Sequence, residues 1–211
     1  MRKNYFTLKR FGSDELIISK SRFIAHCGRV ETEAEAIDFI NKIKKEHHSA
    51  THNCSAYVIG EHDQIQKAND DGEPSGTAGV PMLEVLKKQH LKDTVVVVTR
   101  YFGGTKLGAG GLVRAYGKST TIGIDAAVVV ERRLHSLMKV AVDYTWLGKI
   151  ENMIRSSSYI LDKIDYTDGV DFYIFVPEED EMKFTNWIIE MTNGQSKIQL
   201  DKQQFLEFDR Q

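Results

Sequence analysis

Cysteine and proline are scarce in this 211-residue sequence, and a long apolar run is missing. The chain has 2 cysteines and 3 prolines. Cys27 and Cys54 alone supply neither a disulfide framework nor the ligands of a four-coordinate zinc site. No stretch approaches the roughly 18 apolar residues of a membrane span, and residues 1–20 lack the apolar core of a signal peptide. These absences predict a cytoplasmic protein of a reducing compartment, with no metal site and no cofactor.

The charge is distributed unevenly along the chain, although the net charge is only −2. Residues 1–138 carry 20 basic and 16 acidic side chains, a net of +4, and residues 139–211 carry 8 and 14, a net of −6. This contrast indicates two domains and assigns any polyanion-binding face to the first. A net charge of +4 is also common in proteins that bind no nucleic acid, so charge alone leaves that alternative open.

Apolar spacing predicts alternating strands and helices in the first part of the chain. Thr32 stands three residues before Glu35, a capping-box spacing that marks a helix start. The predicted elements are strands within Tyr5–Arg29, a helix from Thr32 to about His47, a strand over Asn53–Gly60, a helix from Thr77 to about His90, a buried strand over Val95–Val98 and a helix from about Leu112 to Val130.

The second part of the chain has its own complete pattern. Strand, helix, strand, strand, helix, strand follow one another from Lys139 to Phe208, with a turn at Asp168 and Gly169. This βαββαβ order is that of the ferredoxin-like fold. We therefore predict an α+β protein with domains over residues 1–137 and 138–211, the boundary lying near Leu137.

The densest group of candidate functional residues lies between the buried strand and the following helix. Five glycines permit close approach of backbone amides to a ligand, and the helix N-terminus adds free N–H groups. The predicted anion or partner site comprises Arg100, Tyr101, Gly103, Gly104, Thr105, Lys106, Gly108, Gly110, Gly111 and Arg114. The spacing matches neither the P-loop nor the dinucleotide motif. A tight crossover that needs glycine for packing alone is the alternative.

An acidic loop precedes this segment in the chain. It comprises Asp70, Asp71, Gly72, Glu73, Pro74, Ser75 and Gly76. Three carboxylates in four residues suit a hard cation, but the alternating ligands of a calcium loop are missing. We expect this loop to dock on the glycine segment and support it.

The candidates for catalysis are weaker. His52 and Cys54 are two residues apart on a predicted strand, so their side chains point to the same side. A nucleophile pair is conceivable, but no third group that would orient the base is visible in the sequence. We therefore assign no catalytic residue.

Four strings of residues together resemble the signature of the YigZ/Impact family. They are Lys20–Ala25 (KSRFIA), Ala50–Cys54 (ATHNC), Asp70–Pro81 (DDGEPSGTAGVP) and Val97–Tyr116 (VVTRYFGGTKLGAGGLVRAY). The first two strings add Arg22 and His52 to the supporting residues. The resemblance implies an N-terminal domain like the second domain of the fifth small-subunit ribosomal protein. It implies a C-terminal domain like the last domain of elongation factor G, and a link to translation, because the eukaryotic relative is a translational regulator.

Three functions are compatible with these patterns. The leading hypothesis is a non-enzymatic, translation-associated protein that contacts RNA, the ribosome or a translation-related protein through the glycine segment. The alternative is an enzyme or binder of a small phosphorylated ligand, held as an anion in a pocket of Asp71, Glu73, Thr105 and Lys106. A regulator that captures a protein partner without binding RNA is the third. Fold-level analogy does not choose among them.

Overall fold

The computed structural model describes residues 4–210 and divides the chain into two compact units. Of the described residues, the N-terminal unit is Asn4–Arg132 together with residues 207–210, and the C-terminal unit is Arg133–Leu206. The α+β class is confirmed. Among residues 4–210, no helix combines the length and apolarity that crossing a membrane requires.

The N-terminal unit contains one antiparallel sheet with helices on both faces. Its elements are β1 (Tyr5–Leu8), β2 (Gly12–Ile18), β3 (Ser21–Arg29), α1 (Glu33–Glu46), β4 (His52–Ile59), β5 (Ile65–Asn69), α2 (Gly79–Lys88), β6 (Thr94–Tyr101) and α3 (Gly108–Ala127). The sheet order is β2-β3-β6-β4-β5. β6 is therefore central, as the predicted buried run of valines requires.

Alternation along the strands divides the core between the two faces of this sheet. Phe23, Ala25 and Cys27 of β3 face the layer formed by α2 and α3. Tyr57 and Val95 pack on the opposite face, against α1. The acidic loop and the glycine segment follow β5 and β6 respectively, and each leads into a helix of the first layer.

The C-terminal unit has the predicted ferredoxin-like order. Its elements are most of β7 (Val129–Val142), α4 (Leu147–Arg155), β8 (Ile160–Tyr166), β9 (Val170–Pro177), α5 (Glu181–Met191) and most of β10 (Lys197–Asp209). β9 pairs antiparallel with both β7 and β8, and β10 also pairs with β7. The buried side chains of β7 and β9 pack on α4 and α5, so this unit has its own core.

Two boundaries around α3 differ from the prediction. The helix begins at Gly108, not near Leu112, so the last three glycines of the segment form its first turn. It ends at Ala127, and β7 begins at Val129, about ten residues before the strand predicted at Lys139. β7 then runs without a break through Leu137, where the sequence places the domain boundary. Pairing with β1 extends it, since Tyr5 lies opposite Arg132.

Candidate functional site

A buried ion pair lies at the junction of the acidic loop and β6. Nη1 of Arg100 donates to Oε1 of Glu73 at 2.7 Å, and both side chains are almost completely buried. The hydroxyl of Tyr116 donates to the same oxygen at 2.8 Å. The guanidinium lies 5.3 Å from the ring centre of Phe23 and 5.4 Å from that of Phe102. The charge of Arg100 is thus neutralised locally, whereas the sequence interpretation counted it as a free cation of the glycine segment.

The carboxylate of Asp70 organises the acidic loop and the start of α2. It accepts hydrogen bonds from the backbone N–H groups of Gly76, Ala78 and Gly79 at 2.8–3.0 Å. Burial acts to raise its pKa, but these three donors hold the pKa below its usual range. Asp70 therefore satisfies N–H groups at a helix start that has no capping side chain of its own.

The carboxylate of Asp71 is also fully used within the fold. It accepts from Nζ of Lys44 at 2.6 Å and from the backbone N–H of Asn53 at 2.7 Å. Within the described part of the chain, no three His, Cys, Asp or Glu side chains are grouped as metal ligands would be. Glu73 binds the loop to Arg100 of β6 and Tyr116 of α3, which lie on either side of the glycine segment in the sequence. Asp71 is not among the residues that line a cavity with Glu73, contrary to the alternative hypothesis.

His52 and Cys54 do not form a nucleophile pair. The Cys54 thiol is buried and donates to the carbonyl oxygen of Asp70 at 2.9 Å. Burial raises its pKa to about 12, so the reactive thiolate is not populated near neutral pH. Nδ1 of His52 is 2.8 Å from the carbonyl oxygen of Asp71, and Nε2 is 3.8 Å from Oε2 of Glu73. His52 therefore faces the ion pair, not the thiol.

The glycines of the segment serve different purposes. A Cβ on Gly103 would lie 2.0 Å from the backbone of Lys20, so Gly103 is needed for close packing. Gly104 and Gly108 have φ values of 84° and 69°, which glycine adopts without strain. A Cβ at either of these two would meet nothing within 4 Å. Packing thus explains one glycine, and backbone conformation explains two that border open space.

A cavity of about 440 Å³ opens between the acidic loop, the end of β6 and the start of α3. Its lining residues are Thr51, His52, Glu73, Pro74, Arg100, Phe102, Lys106, Leu107, Gly108, Ala109 and Leu112. The ion pair lies at one side, and the first turn of α3, whose N–H groups have no side-chain cap, lies at another. The structure therefore places Lys106 and Glu73 at one cavity, as the alternative hypothesis expected, but Thr105 is not among its lining residues.

The two other cations of the segment are exposed. Within residues 4–210, neither Lys106 nor Arg114 forms an ion pair. Arg22, by contrast, donates from Nε to Glu15 at 2.8 Å. The hydroxyl of Tyr101 is 3.0 Å from Nδ1 of His47, on the side of the sheet that α1 covers. Arg22 and Tyr101 thus lie outside the cavity.

Sequence reasoning missed Thr51, Leu107, Ala109 and Leu112 as lining residues. Phe102 was not predicted as a site residue either, but it lines the cavity and its side chain is 46% exposed. The alternation of side chains along a strand could have predicted that Phe102 lies beside Arg100, because residues two apart point to the same side. The Thr51 hydroxyl accepts from the backbone N–H of Phe102 at 3.0 Å, a contact between residues 51 positions apart.

Known proteins match both parts of the chain. The family model described as the Impact N-terminal domain matches residues 19–124, and a domain of unknown function (DUF1949) matches residues 140–195. The Bacillus subtilis protein "IMPACT family member YvyE" is 60% identical, over 98% of this chain and 95% of its own. "IMPACT family member YigZ" of Escherichia coli is 31% identical, over 86% and 90%.

More distant relatives match less of the chain or share less sequence. "Protein IMPACT homolog" of Dictyostelium discoideum is 41% identical, but the match covers 42% of this chain and 26% of that protein. A crystal structure described as that of a hypothetical protein superimposes with a TM-score of 0.60 at 27% identity, over 96% of this chain and 99% of that one.

Proposed function

Because the chain belongs to the Impact family, we propose that it is a translation-associated binding protein without catalytic activity, and that it contacts RNA through the glycine segment. The supporting surface consists of Lys106, Arg114 and the first turn of α3, and we call it the anion surface. The proposal keeps the glycine segment as the contact site. It moves Arg100 from direct contact to the support beneath, where Glu73 was already predicted to lie.

The main support for this proposal is the exposed positive charge at the start of α3. Among the described residues Lys106 and Arg114 have no ion-pair partner, and no side chain caps the N-terminus of the helix. Some cations of the N-terminal unit have carboxylate partners, as Lys44 has in Asp71 and Lys92 has in Asp63, whereas Lys106 and Arg114 leave their charge available to a ligand. Free N–H groups and unpaired positive charge together favour phosphate oxygens. The glycines at 104 and 108 leave the backbone open to approach on this side.

The proposal is tested by measuring the affinity of the intact protein for ribosomal RNA fragments at one low salt concentration. A Lys106→Ala/Arg114→Ala variant is compared with a Lys42→Ala/Lys88→Ala variant, which removes the same charge from exposed positions on α1 and α2. We expect the first to lose at least about tenfold in affinity and the second to bind nearly as the wild type. Equal losses would mean that net charge alone drives binding. No binding by the wild type would favour a protein partner.

A small phosphorylated ligand is the second candidate, and the cavity is the observation that favours it. Its volume of about 440 Å³ is within the range of small-molecule sites, and its walls combine apolar side chains with a few convergent polar groups. Thermal stabilisation of the intact protein across a panel of phosphorylated metabolites tests this candidate. A flat response across the panel would count against it.

A further inference from the structure

The cavity contains polar atoms that the fold does not satisfy. Arg100 is only 5% exposed, and within residues 4–210 its Nε–H has no acceptor. Oε2 of Glu73 accepts no hydrogen bond from a described group, since both of the donors to Glu73 bind Oε1. Buried polar groups are normally paired, so these two groups are available to the polar atoms of a ligand in the cavity.

His52 adds a second acceptor next to Glu73. The carbonyl oxygen of Asp71 can only accept, so Nδ1 of His52 carries the proton of that 2.8 Å contact. In the neutral ring Nε2 is then an acceptor, and it lies 3.8 Å from Oε2 of Glu73. Two acceptors this close to each other suit a ligand amino group, which has two N–H donors.

The opposite side of the cavity favours an anion. Lys106 lines it together with Gly108 and Ala109, the first two residues of α3. The N–H groups of this turn have no side-chain cap. A phosphate at this position would meet both the helix N-terminus and a full positive charge.

The wall between these two sides suits a flat ring. Phe102 presents a half-exposed aromatic face, and the guanidinium of Arg100 lies 5.4 Å from its ring centre. Leu107 and Leu112 supply apolar surface near it. Aromatic faces of this kind stack on nucleobases irrespective of sequence.

We propose that the cavity binds one nucleoside monophosphate unit. Its phosphate lies on Lys106 and the first turn of α3, its base stacks on Phe102, and the exocyclic amino group of the base donates to Glu73 and His52. The unit is either a free nucleotide or the terminal nucleotide of an RNA. The inference rests on the proposed function, because it places the phosphate of the nucleotide on the anion surface.

Calorimetric titration of the intact protein with the four ribonucleoside monophosphates tests this inference directly. We expect the adenine, guanine and cytosine nucleotides to bind and the uridine nucleotide, which has no exocyclic amino group, to bind at least about fivefold more weakly. Inorganic phosphate and adenosine should each bind more weakly than adenosine monophosphate. Equal affinity for all four nucleotides would overturn the assignment of Glu73 and His52, and no binding of any would overturn the inference.

Ala109 is a suitable position for a blocking variant because it is exposed in the first turn of α3 and lines the cavity. Ala109→Trp fills the cavity without a change of charge and should abolish nucleotide binding. Val113→Trp places the same side chain at an exposed position of α3 that does not line the cavity, and it should bind as the wild type. Phe102→Ala removes the stacking face and should weaken binding about tenfold. Unchanged binding by Ala109→Trp would place the nucleotide elsewhere and refute the inference.

The same variants separate the two sources of the nucleotide and the two proposals. If Ala109→Trp loses both nucleotide and 5′-phosphorylated RNA oligonucleotide binding, the ligand is the terminal nucleotide of an RNA. If it loses only the nucleotide, the ligand is the free molecule. Salt-dependent RNA binding by a wild type that binds no nucleotide would refute this inference alone. Nucleotide binding without RNA binding would refute only the RNA contact of the proposed function.

Discussion

Removing the carboxylate of Glu73 should destabilise the N-terminal unit more than removing the charge of any exposed side chain does. In Glu73→Ala, Arg100 loses its 2.7 Å bond and Tyr116 its 2.8 Å bond. Arg100 keeps only a 3.3 Å contact from Nη2 to Ser21. Because an unpaired guanidinium then remains buried, the loss in free energy of unfolding should be about 3–5 kcal/mol.

Cysteine labelling is a suitable assay, because Cys27 and Cys54 are the chain's only cysteines and both are buried in the N-terminal unit. Both tryptophans, Trp146 and Trp187, belong to the C-terminal unit, so tryptophan fluorescence follows the other part of the chain. Urea-dependent labelling of Cys27, resolved by peptide mass spectrometry, reports opening of the N-terminal unit. For a typical dependence of the free energy of unfolding on urea concentration, the urea midpoint of labelling should fall by about 1–3 M in Glu73→Ala.

The control for this prediction is Glu84→Ala. Glu84 pairs with Lys87 on the surface of α2, and its side chain is 61% exposed, so its removal should cost no more than about 0.5 kcal/mol. A second variant, Glu73→Ala/Arg100→Met, removes both charges and should be more stable than Glu73→Ala alone. A midpoint for Glu73→Ala equal to that of Glu84→Ala would refute the reasoning.

Three further predictions concern stability. Asp70→Ala removes the acceptor at the start of α2 and should cost the N-terminal unit about 1–2 kcal/mol by cysteine labelling; an unchanged midpoint would show that the loop does not cap this helix. Burial lowers the pKa of His26 to about 4. The unfolded chain therefore binds this proton first, and stability should fall by no more than about 3 kcal/mol as the pH decreases from about 6.5 to 4. In cysteine-labelling experiments, His26→Gln should reduce the dependence of stability on pH in this range. An unchanged pH dependence would mean that other groups cause it. Gly148 lies in α4, and a Cβ at this position would meet nothing within 4 Å. Gly148→Ala should therefore stabilise the C-terminal unit by about 0.5–1 kcal/mol, as measured by urea unfolding with tryptophan fluorescence. A loss of stability would show that the added methyl group does not fit there.

Sequence patterns predict the fold well where the signal is local. The capping pair Thr32 and Glu35 gives the start of α1 correctly, since the Thr32 hydroxyl accepts from the Glu35 N–H at 3.2 Å. The valines of β6 indicate a central strand, and the order of elements after Lys139 indicates the ferredoxin-like unit. The start of β7 is missed because pairing with β1, more than 120 residues away in sequence, sets it.

The candidate site is predicted less completely, because long-range contacts decide the role of each charge. Lys106 and Arg114 remain exposed, but Arg100 is neutralised by a carboxylate 27 residues away. The carboxylate of Asp71, in the acidic loop, is likewise bound by Lys44 of α1. Nothing in the spacing of these residues reveals which cation will find a partner. Their assignment to an anion or partner site stays a prediction.

The salt dependence of RNA binding tests the central claim most directly. The intact protein and the Lys106→Ala/Arg114→Ala variant are titrated with the same single-stranded ribosomal RNA fragment across a series of salt concentrations. Each phosphate contact contributes about 0.7 to the slope of log affinity against log salt, so two contacts account for about 1.4. We predict a slope shallower by about that amount in the variant. Equal slopes for the two proteins would contradict a phosphate contact at the anion surface.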